Sequence, residues 1–427
     1  MNLMNNKFKS KEVDFLKDRS GHDTNNTMDI KPPGIFLSDI LLNETNEINS
    51  FKKRIKEIRL HKDRFLCSVF RVSSPEKNKT CSMDEMLEKI FHTLVQTNGG
   101  LWQKIDKGVY AMAFRDYNDR SRAETTLKSI KKKISTALNV NICVGASWFP
   151  HGDYSEFDSF DNAVKALDHA AFFGEDALIY FNAVSIHIHG DRLYQLGSIE
   201  KASMEYQKGL ELDASNTILI NSLGVCYGLL NMLDKAKDEF KKVLKINPNE
   251  IISIYNLGLV HDLLCDNKKA VQYLKKASSL NNNIFEIELL LGTTLYKNSE
   301  PKKALYHIKK ALELKQDSAS ALRTMGDILL EKNEPSRAAS CFTRAVKLNP
   351  SDAASLSGLA RAYEMQNKNI DIALSFAKKS VKLEPDNPLF RTRLGQIYLI
   401  KKEHDPAVKE FDKASHAAPE NQKMKLA

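Results

Sequence analysis

The chain has 427 residues, 42% hydrophobic and 27% charged, which suffices for two or three folded domains of ordinary soluble composition. Its formal net charge of +9 permits contact with acidic partners and by itself proves none. No run of 18 apolar residues occurs and the amino terminus lacks the apolar core of a secretion signal, so the expectation is a cytoplasmic protein that does not engage a membrane.

The six cysteines (Cys67, Cys81, Cys143, Cys226, Cys265 and Cys341) include no close pair. Metal and redox cysteines normally come in such pairs, so these six read as small buried hydrophobes in a reducing compartment. No metal or other cofactor is expected.

Residues 1–34 are rich in Asn, Lys and Asp and end in Pro32-Pro33-Gly34, a polar tail with too little apolar surface to order itself. An amphipathic stretch from Ile35 to Ile58 predicts one or two helices. The apolar run from Arg64 to Val72 predicts a strand. Ser82 with Glu85 reads as a capping box that opens a helix from Met83 to Val95, and Asn98-Gly99-Gly100 breaks it. Leu101 to Ile105 and Val109 to Phe114 are strand-like runs joined through Asp106-Lys107-Gly108, a hairpin signal.

A helix from Ser121 to Leu138 follows, with Leu127, Ile130 and Ile134 on its apolar face and Lys128, Lys131, Lys132 and Lys133 beside them. No aromatic residue interleaves with these lysines, so the face reads as solvated and nucleic acid is not an expected partner. A strand from Val140 to Trp148, a loop containing Pro150-His151-Gly152-Asp153, a helix from Phe160 to Phe173 and a strand from Ala177 to Phe181 come next. This alternation predicts an α+β domain over residues 35–182, a sheet covered by helices.

From Ala183 to Pro419 the chain repeats itself every 34 residues. A small residue recurs at Gly190, Gly224, Gly258, Gly292, Gly326, Ala360 and Gly395, the last step being 35. Alanine follows at Ala202, Ala236, Ala270, Ala304, Ala338, Ala373 and Ala407. A larger apolar residue stands four further on, at Tyr206, Phe240, Leu274, Ile308, Phe342 and Phe411, with Ala377 the exception. Pro248, Pro350, Pro385 and Pro419 close four of the units. Small residues let two antiparallel helices approach, and larger ones fill the space beside the crossing. One such pair cannot bury its apolar face alone, so neighbours must stack.

This pattern, read from Asn221-Ser222-Leu223-Gly224-Val225-Cys226-Tyr227 through Ala236, Phe240 and Pro248, resembles the tetratricopeptide repeat, which implies an all-α superhelix of seven repeats over residues 183–419 and a short tail at 420–427. In that family the first helix of each unit lines the concave face and its variable positions choose the ligand. By column these are Asn221, Val225, Tyr255, Leu259, Asp262, Arg323, Asp327, Arg361, Glu364 and Gln396. The mixture implies a protein or peptide partner that makes both apolar and charged contacts. Only residues 420–427 follow the last unit, so a partner or a second copy of the chain, as in a homodimer, is expected to cover that end.

The order of elements before Ala183 is similar to the GGDEF domain, the diguanylate cyclase fold related to nucleotidyl cyclases. The strand Val140-Asn141-Ile142-Cys143-Val144-Gly145-Ala146-Ser147-Trp148 and the helix from Ala163 to Gly174 carry that resemblance. The catalytic signature departs from it. Where the family's hairpin reads Gly-Gly-Asp-Glu-Phe, this chain reads Asp106-Lys107-Gly108-Val109-Tyr110. Gly108 and Val109 stand where two carboxylates are needed, and Phe65 to Ser74 contains no acid, whereas magnesium sites for phosphoryl chemistry need carboxylate ligands. The family's inhibitory Arg-x-x-Asp would fall at Thr97-Asn98-Gly99-Gly100 and is missing.

Other candidate chemistry is weak. His187 and His189, two apart on a helix, face different ways and make a poor metal pair. His151 and Asp153 share a loop and read as turn residues. No GxxxxGK[ST], HExxH or GxSxG string occurs. The expectation is a bacterial, non-catalytic scaffold or signalling adaptor with a degenerate GGDEF-like domain, and nucleotide is not an expected ligand. Two rivals stay open: a divergent cyclase using other acids, with Asp106 the nearest candidate, and a nucleotide-binding receptor without turnover.

Overall fold

The protein's structure, a computed structural model, describes residues 38, 45–59, 64–73, 80–115, 120–367 and 369–417. The tails read at 1–34 and 420–427, and the start of the stretch from Ile35, lie outside these residues apart from Ser38. The chain divides into two compact units, Met1–Pro248 and Asn249–Ala427.

Among the described residues of the first unit, helix α1 (Asn46–Arg59) precedes strand β1 (Phe65–Ser73). Helix α2 (Thr80–Asn98), strands β2 (Gly100–Asp106) and β3 (Val109–Arg115), helix α3 (Arg120–Leu138) and strand β4 (Asn141–Phe149) follow. Helix α4 (Asp158–Ala170) and the short strand β5 (Leu178–Tyr180) complete the α+β part. Helix α2 begins at Thr80, so Ser82 lies inside its first turn and is not the capping residue that the sequence suggests. The capping pattern marks the right helix, with its start at Met83 three residues after Thr80.

The sheet has the order β2-β3-β1-β4-β5. β1 runs antiparallel to both β3 and β4, and β4 runs parallel to β5. The unbroken burial of β1 from Phe65 to Phe70 reflects this central place, because both its faces are covered. Phe65, Cys67 and Val69 pack with Ile48 and Phe51 of α1 and Phe160 and Leu167 of α4. Leu66, Phe70 and Val72 pack on the other face with Leu87 and Phe91 of α2 and Leu127, Ile130 and Ile134 of α3. Lys128, Lys132 and Lys133 of α3 are exposed, the solvated face that the sequence predicts. α4 lies so close to β4 that a side chain at Gly145 would meet the Ala163 carbonyl at 2.1 Å.

Four further helices belong to the first unit: α5 (Ala183–Gln195), α6 (Ile199–Leu212), α7 (Thr217–Leu229) and α8 (Leu233–Ile246). Ala166, Phe181 and Ile186 form a small core with Tyr154, Ile179 and Leu212, which joins the sheet layer to the first helical pair. Lys165 of α4 and Glu205 of α6 form an ion pair at 2.6 Å in which the side chains are 10% and 12% exposed. Burial works to raise the Glu205 carboxyl, and the charge and hydrogen bond of Lys165 with the charges of His189 and Lys208 together outweigh it, so the group is held below its ordinary value.

The second unit is five helical pairs: α9 (Ile251–Leu263) with α10 (Asn267–Leu280), α11 (Phe285–Lys297) with α12 (Pro301–Leu314), α13 (Ala319–Glu331) with α14 (Pro335–Leu348), α15 (Ala353–Met365) with α16 (Ile370–Leu383), and α17 (Pro388–Ile400) with α18 (His404–Ala417). The small column does not face small residues, as the sequence suggests; it faces the large one on the partner helix. A side chain at Gly258 would meet Leu274 at 2.7 Å, at Gly292 Ile308 at 2.7 Å, at Gly326 Phe342 at 2.7 Å and at Gly395 Phe411 at 2.8 Å. The same holds in the first unit, where Gly190 sits against Tyr206 and Gly224 against Phe240.

The two exceptions in the sequence, Ala360 and Ala377, are one event. The turn before α16 holds an extra residue, and Asn369 there takes a left-handed φ of 53°. The helix starts one residue later as a result, so Ala373 and Ala377 hold the fourth and eighth places that Ala338 and Phe342 hold in α14. Ala377 lies in one buried cluster with Ala360, and Phe376 beside it stacks on Tyr363.

The turn inside each pair carries a further column that composition hides. Gly197, Asn231, Cys265, Ser299, Asn333, Asn367 and Lys402 all have positive φ, between 50° and 77°. In most of them the following residue's N–H reaches back to a carbonyl in the last turn, as Asp266 does to His261 at 2.9 Å and Glu300 to Leu295 at 2.9 Å. This is the left-handed helix stop, for which glycine and asparagine are the easiest residues. Cys265 occupies that turn and is exposed, which corrects the reading of all the cysteines as buried; Cys67, Cys143 and Cys226 are buried and Cys341 is half-buried. No described helix is long and apolar enough to cross a membrane.

The paired exception yields a test. Ala377→Phe should cost about 1–3 kcal/mol by overpacking against the Cβ of Ala360. Adding Ala360→Gly should recover part of that loss, with a coupling of about 0.5–3 kcal/mol in a double-mutant cycle read by urea denaturation. Additive losses would mean that the two positions do not share the crossing.

Candidate functional site

In the second unit the first helices α9, α11, α13, α15 and α17 each touch the next first helix, while the second helices are spaced more widely. The stack therefore curves with its first helices inside, and their side chains form a continuous inner face.

Polar bridges join one first helix to the next along this face. Asp262 accepts from Thr294 Oγ1 at 3.0 Å and pairs with Lys297 at 2.7 Å. Tyr296 donates to Glu331 at 2.7 Å. Arg323 donates to both carboxylate oxygens of Asp352, at 3.0 and 3.1 Å. Arg393 donates to Ser357 Oγ at 2.8 Å. Within α15, Arg361 donates to Glu364 Oε1.

One acceptor on this face is left over, and one carboxyl is perturbed. Glu364 has a side chain only 9% exposed, and its Oε2 is buried without a hydrogen-bond partner. Asp327 has its carboxyl pushed up to about 6, first by burial and then by Asp352 and Glu331, while Arg393 and Arg323 oppose the shift. Burial likewise holds the Arg393 guanidinium below its ordinary value, against the pull of Asp327.

The sequence-derived contact positions separate into two groups. Arg323, Asp327, Arg361 and Glu364 come together, through their shared coupling to Arg393 and to one another. Asp262 lies on the inner face between α9 and α11, and Gln396 is exposed on α17. Asn221, Val225, Tyr255 and Leu259 are 5%, 0%, 4% and 4% exposed, so these four present almost no surface and serve packing. Val225, Leu259, Asp327 and Arg361 occupy the same column of the repeat, apolar and buried early and charged later. Three contributors escaped the sequence reading. One period beyond Asp262 lies Tyr296, and one period beyond Lys297 lies Glu331, so both were reachable by counting. Arg393 had no such signal, since its column elsewhere holds Asn256, Leu290, Thr324 and Gly358.

The hairpin of the first unit is built differently. Asp106 is exposed and its Oδ1 accepts from the next backbone N–H, of Lys107, at 2.7 Å. Gly108 has φ +69°, and a side chain there would meet the Val72 carbonyl at 2.9 Å, so it is a turn glycine. Lys107 is exposed, whereas Val109 and Tyr110 are buried, and Tyr110 donates to Asp84 at 2.7 Å. Asp84 also pairs with Lys104 at 2.7 Å. Among the described residues no group of three or more His, Cys, Asp or Glu is placed to hold a metal ion. His187 approaches Asp191 and Ser222, each at 3.4 Å, while His189 lines a separate polar cavity with Lys165 and Glu205.

Tetratricopeptide repeat family models match residues 219–250, 252–284 and 323–388, so the chain carries tetratricopeptide repeats. No curated protein matches the chain. Among solved structures, YrrB, described as a TPR protein with an unusual peptide-binding site, is 23% identical over 43% of this chain and 95% of its own, with a TM-score of 0.38. PilF of Pseudomonas aeruginosa is 22% identical over 49% of this chain and 95% of its own, with a TM-score of 0.45. A tetratricopeptide repeat protein of Parabacteroides merdae is 17% identical over 57% of this chain and 96% of its own, with a TM-score of 0.46. Tetratricopeptide repeat proteins generally mediate contacts between proteins.

The position of Asp327 sets a pH dependence. Its folded value of about 6 lies above the ordinary 3.8, so the fold disfavours the charged form. Stability from this group is therefore lost as pH rises from ~4 to ~6 and stays lost above, by on the order of 2 kcal/mol. Asp327→Asn should raise the urea midpoint at pH 7.5, with the advantage shrinking towards pH 4. An advantage independent of pH would assign the effect to another cause.

Proposed function

We propose that the protein is a non-catalytic binding scaffold, a signalling adaptor that holds an extended peptide or protein segment along the inner face of residues 251–400. The observation that carries this reading is the row of polar side chains on successive first helices, with Glu364 Oε2 buried and not taken up by the fold. Buried polar groups are ordinarily hydrogen-bonded, so open ones on a curved surface favour a ligand that supplies the missing partners. Arg361, with a side chain 39% exposed, and the exposed Gln396 supply the accessible part of the surface. Asp262, Arg323, Asp327, Arg361, Glu364 and Gln396 are the proposed contacts.

In this reading the α+β part is a diverged GGDEF-like domain that senses or dimerises. Support comes from the hairpin, where Asp106 serves its own turn and Asp84 is engaged by Lys104 and Tyr110. A cyclase would need free carboxylates at that turn.

The test uses the full chain, immobilised and offered a random library of 12-residue peptides. Saturable binders should be recovered, and Arg361→Glu should weaken them at least tenfold while leaving the helical circular dichroism unchanged. Recovery of no binder would overturn the reading. In parallel, titration calorimetry with GTP and magnesium should show no saturable heat; saturable binding followed by turnover would establish the cyclase instead.

A further inference from the structure

Helices α2 and α3 cover one face of the sheet, and a groove of about 810 Å³ runs between them. Ile90 and Leu94 of α2 and Ala137 of α3 are among the apolar residues that line it. Met86, one turn before Ile90 and 51% exposed, extends the α2 stripe. The α3 wall runs from Ser129 to Ala137, a rise of about 12 Å. Thr93, Ser129, Thr136 and Ala137 are exposed, so the groove is open along its length.

Its rims are basic on both sides. Lys89 stands on the α2 wall, and Lys132 and Lys133 stand on the α3 wall. All three are exposed, and none forms an ion pair among the described residues, whereas the neighbouring Lys131 is taken by Asp176 at 3.0 Å. The residues that line the groove include no carboxylate. The lysine stems add aliphatic surface to the walls while their ammonium groups stay in water.

We infer that this groove docks an amphipathic helix of a partner protein, one whose apolar stripe is flanked by Glu or Asp. Apolar residues at i, i+3, i+4 and i+7 of such a helix cover about 10.5 Å, which matches the length of the groove. Acids on either side of that stripe meet the lysines of both rims, and rim charges of this kind govern specificity and association rate more than affinity. A second copy presenting the same face would set lysine against lysine, so the surface does not suit a symmetric dimer. A lone acyl chain would stay half in water in so open a groove, whereas a helix supplies its own polar back. The inference concerns the first unit and is independent of the inner-face reading.

The experiment uses the full chain and three pools of acetylated, amidated 18-residue peptides. Each pool draws Leu, Ile, Met or Phe at the positions of one helical stripe, and its flanking positions are all Glu, all Gln or all Lys. By fluorescence polarisation at pH 7.5 and low salt, the Glu pool should bind at least tenfold tighter than the Lys pool, with Gln between them. That difference should shrink several-fold at 500 mM salt. Lys132→Glu combined with Lys133→Glu, both at exposed positions, should reverse the order of the Glu and Lys pools while the helical circular dichroism stays unchanged. Ala137→Trp, which fills the groove from an exposed position, should weaken the Glu pool at least tenfold. Equal binding of the pools, binding of none, or an order that survives the lysine reversal overturns the inference. Glu-pool binding that falls with Arg361→Glu instead belongs to the inner face, which also overturns it and leaves the scaffold reading standing. Sedimentation of the chain with phosphatidylglycerol vesicles, with no pool bound, would assign the groove to a lipid surface and overturn it as well.

Discussion

The contact between a glycine and a large apolar side chain sixteen residues later is the constraint from which the repeat architecture follows. A ring or branched chain can fill so close a crossing only if the facing residue lacks a Cβ. Phe342 shows how tight the arrangement is, since it lies fully buried against both Gly326 and Gly358. Truncating a side chain so enclosed removes about 3–5 kcal/mol, because such a site collapses poorly. Glycine is itself unfavourable within a helix by about 1 kcal/mol, so its recurrence in these helices reflects packing. Where the turn gained a residue, glycine and ring were both replaced by alanine, and the crossing survived.

The α+β part is organised by a different constraint, the burial of β1 on both faces. Every strand residue from Phe65 to Phe70 is buried, so helices must cover both sides of the sheet, and α1 with α4 and α2 with α3 do so. α4 also meets the first repeat helices, through Ala166, Phe181 and Ile186 and through the Lys165–Glu205 pair. Removing one member of so buried a pair would leave an uncompensated charge, which is why its geometry has to be met from both sides.

On the inner face of the second unit the balance changes from packing to electrostatics. The bridges from Asp262 to Lys297, Tyr296 to Glu331, Arg323 to Asp352 and Arg393 to Ser357 tie successive first helices together. They consume most of the polar capacity of that face. What remains without a partner on that face is Glu364 Oε2, and a surface whose own groups leave a specific unmet demand is a discriminating one.

The sequence by itself determined the period, the positions of the crossings and the chain order of sheet and helices. These properties depend on residues close in sequence: glycine at a fixed place in a helix, proline after its end, alternating runs bounded by turns. The hairpin was legible for the same reason, since Asp106-Lys107-Gly108 is a local signal. Tertiary structure alone decided which members of a column face a ligand. Val225 and Asp327 occupy one column, yet one is buried and the other faces the polar cluster, because burial is set by the side chains of the neighbouring pair. The pairing of Ala360 with Ala377 and the arrival of Arg393 beside Asp327 were likewise invisible in the sequence. Both join residues of different helices, and only the stacking of those helices brings them within reach.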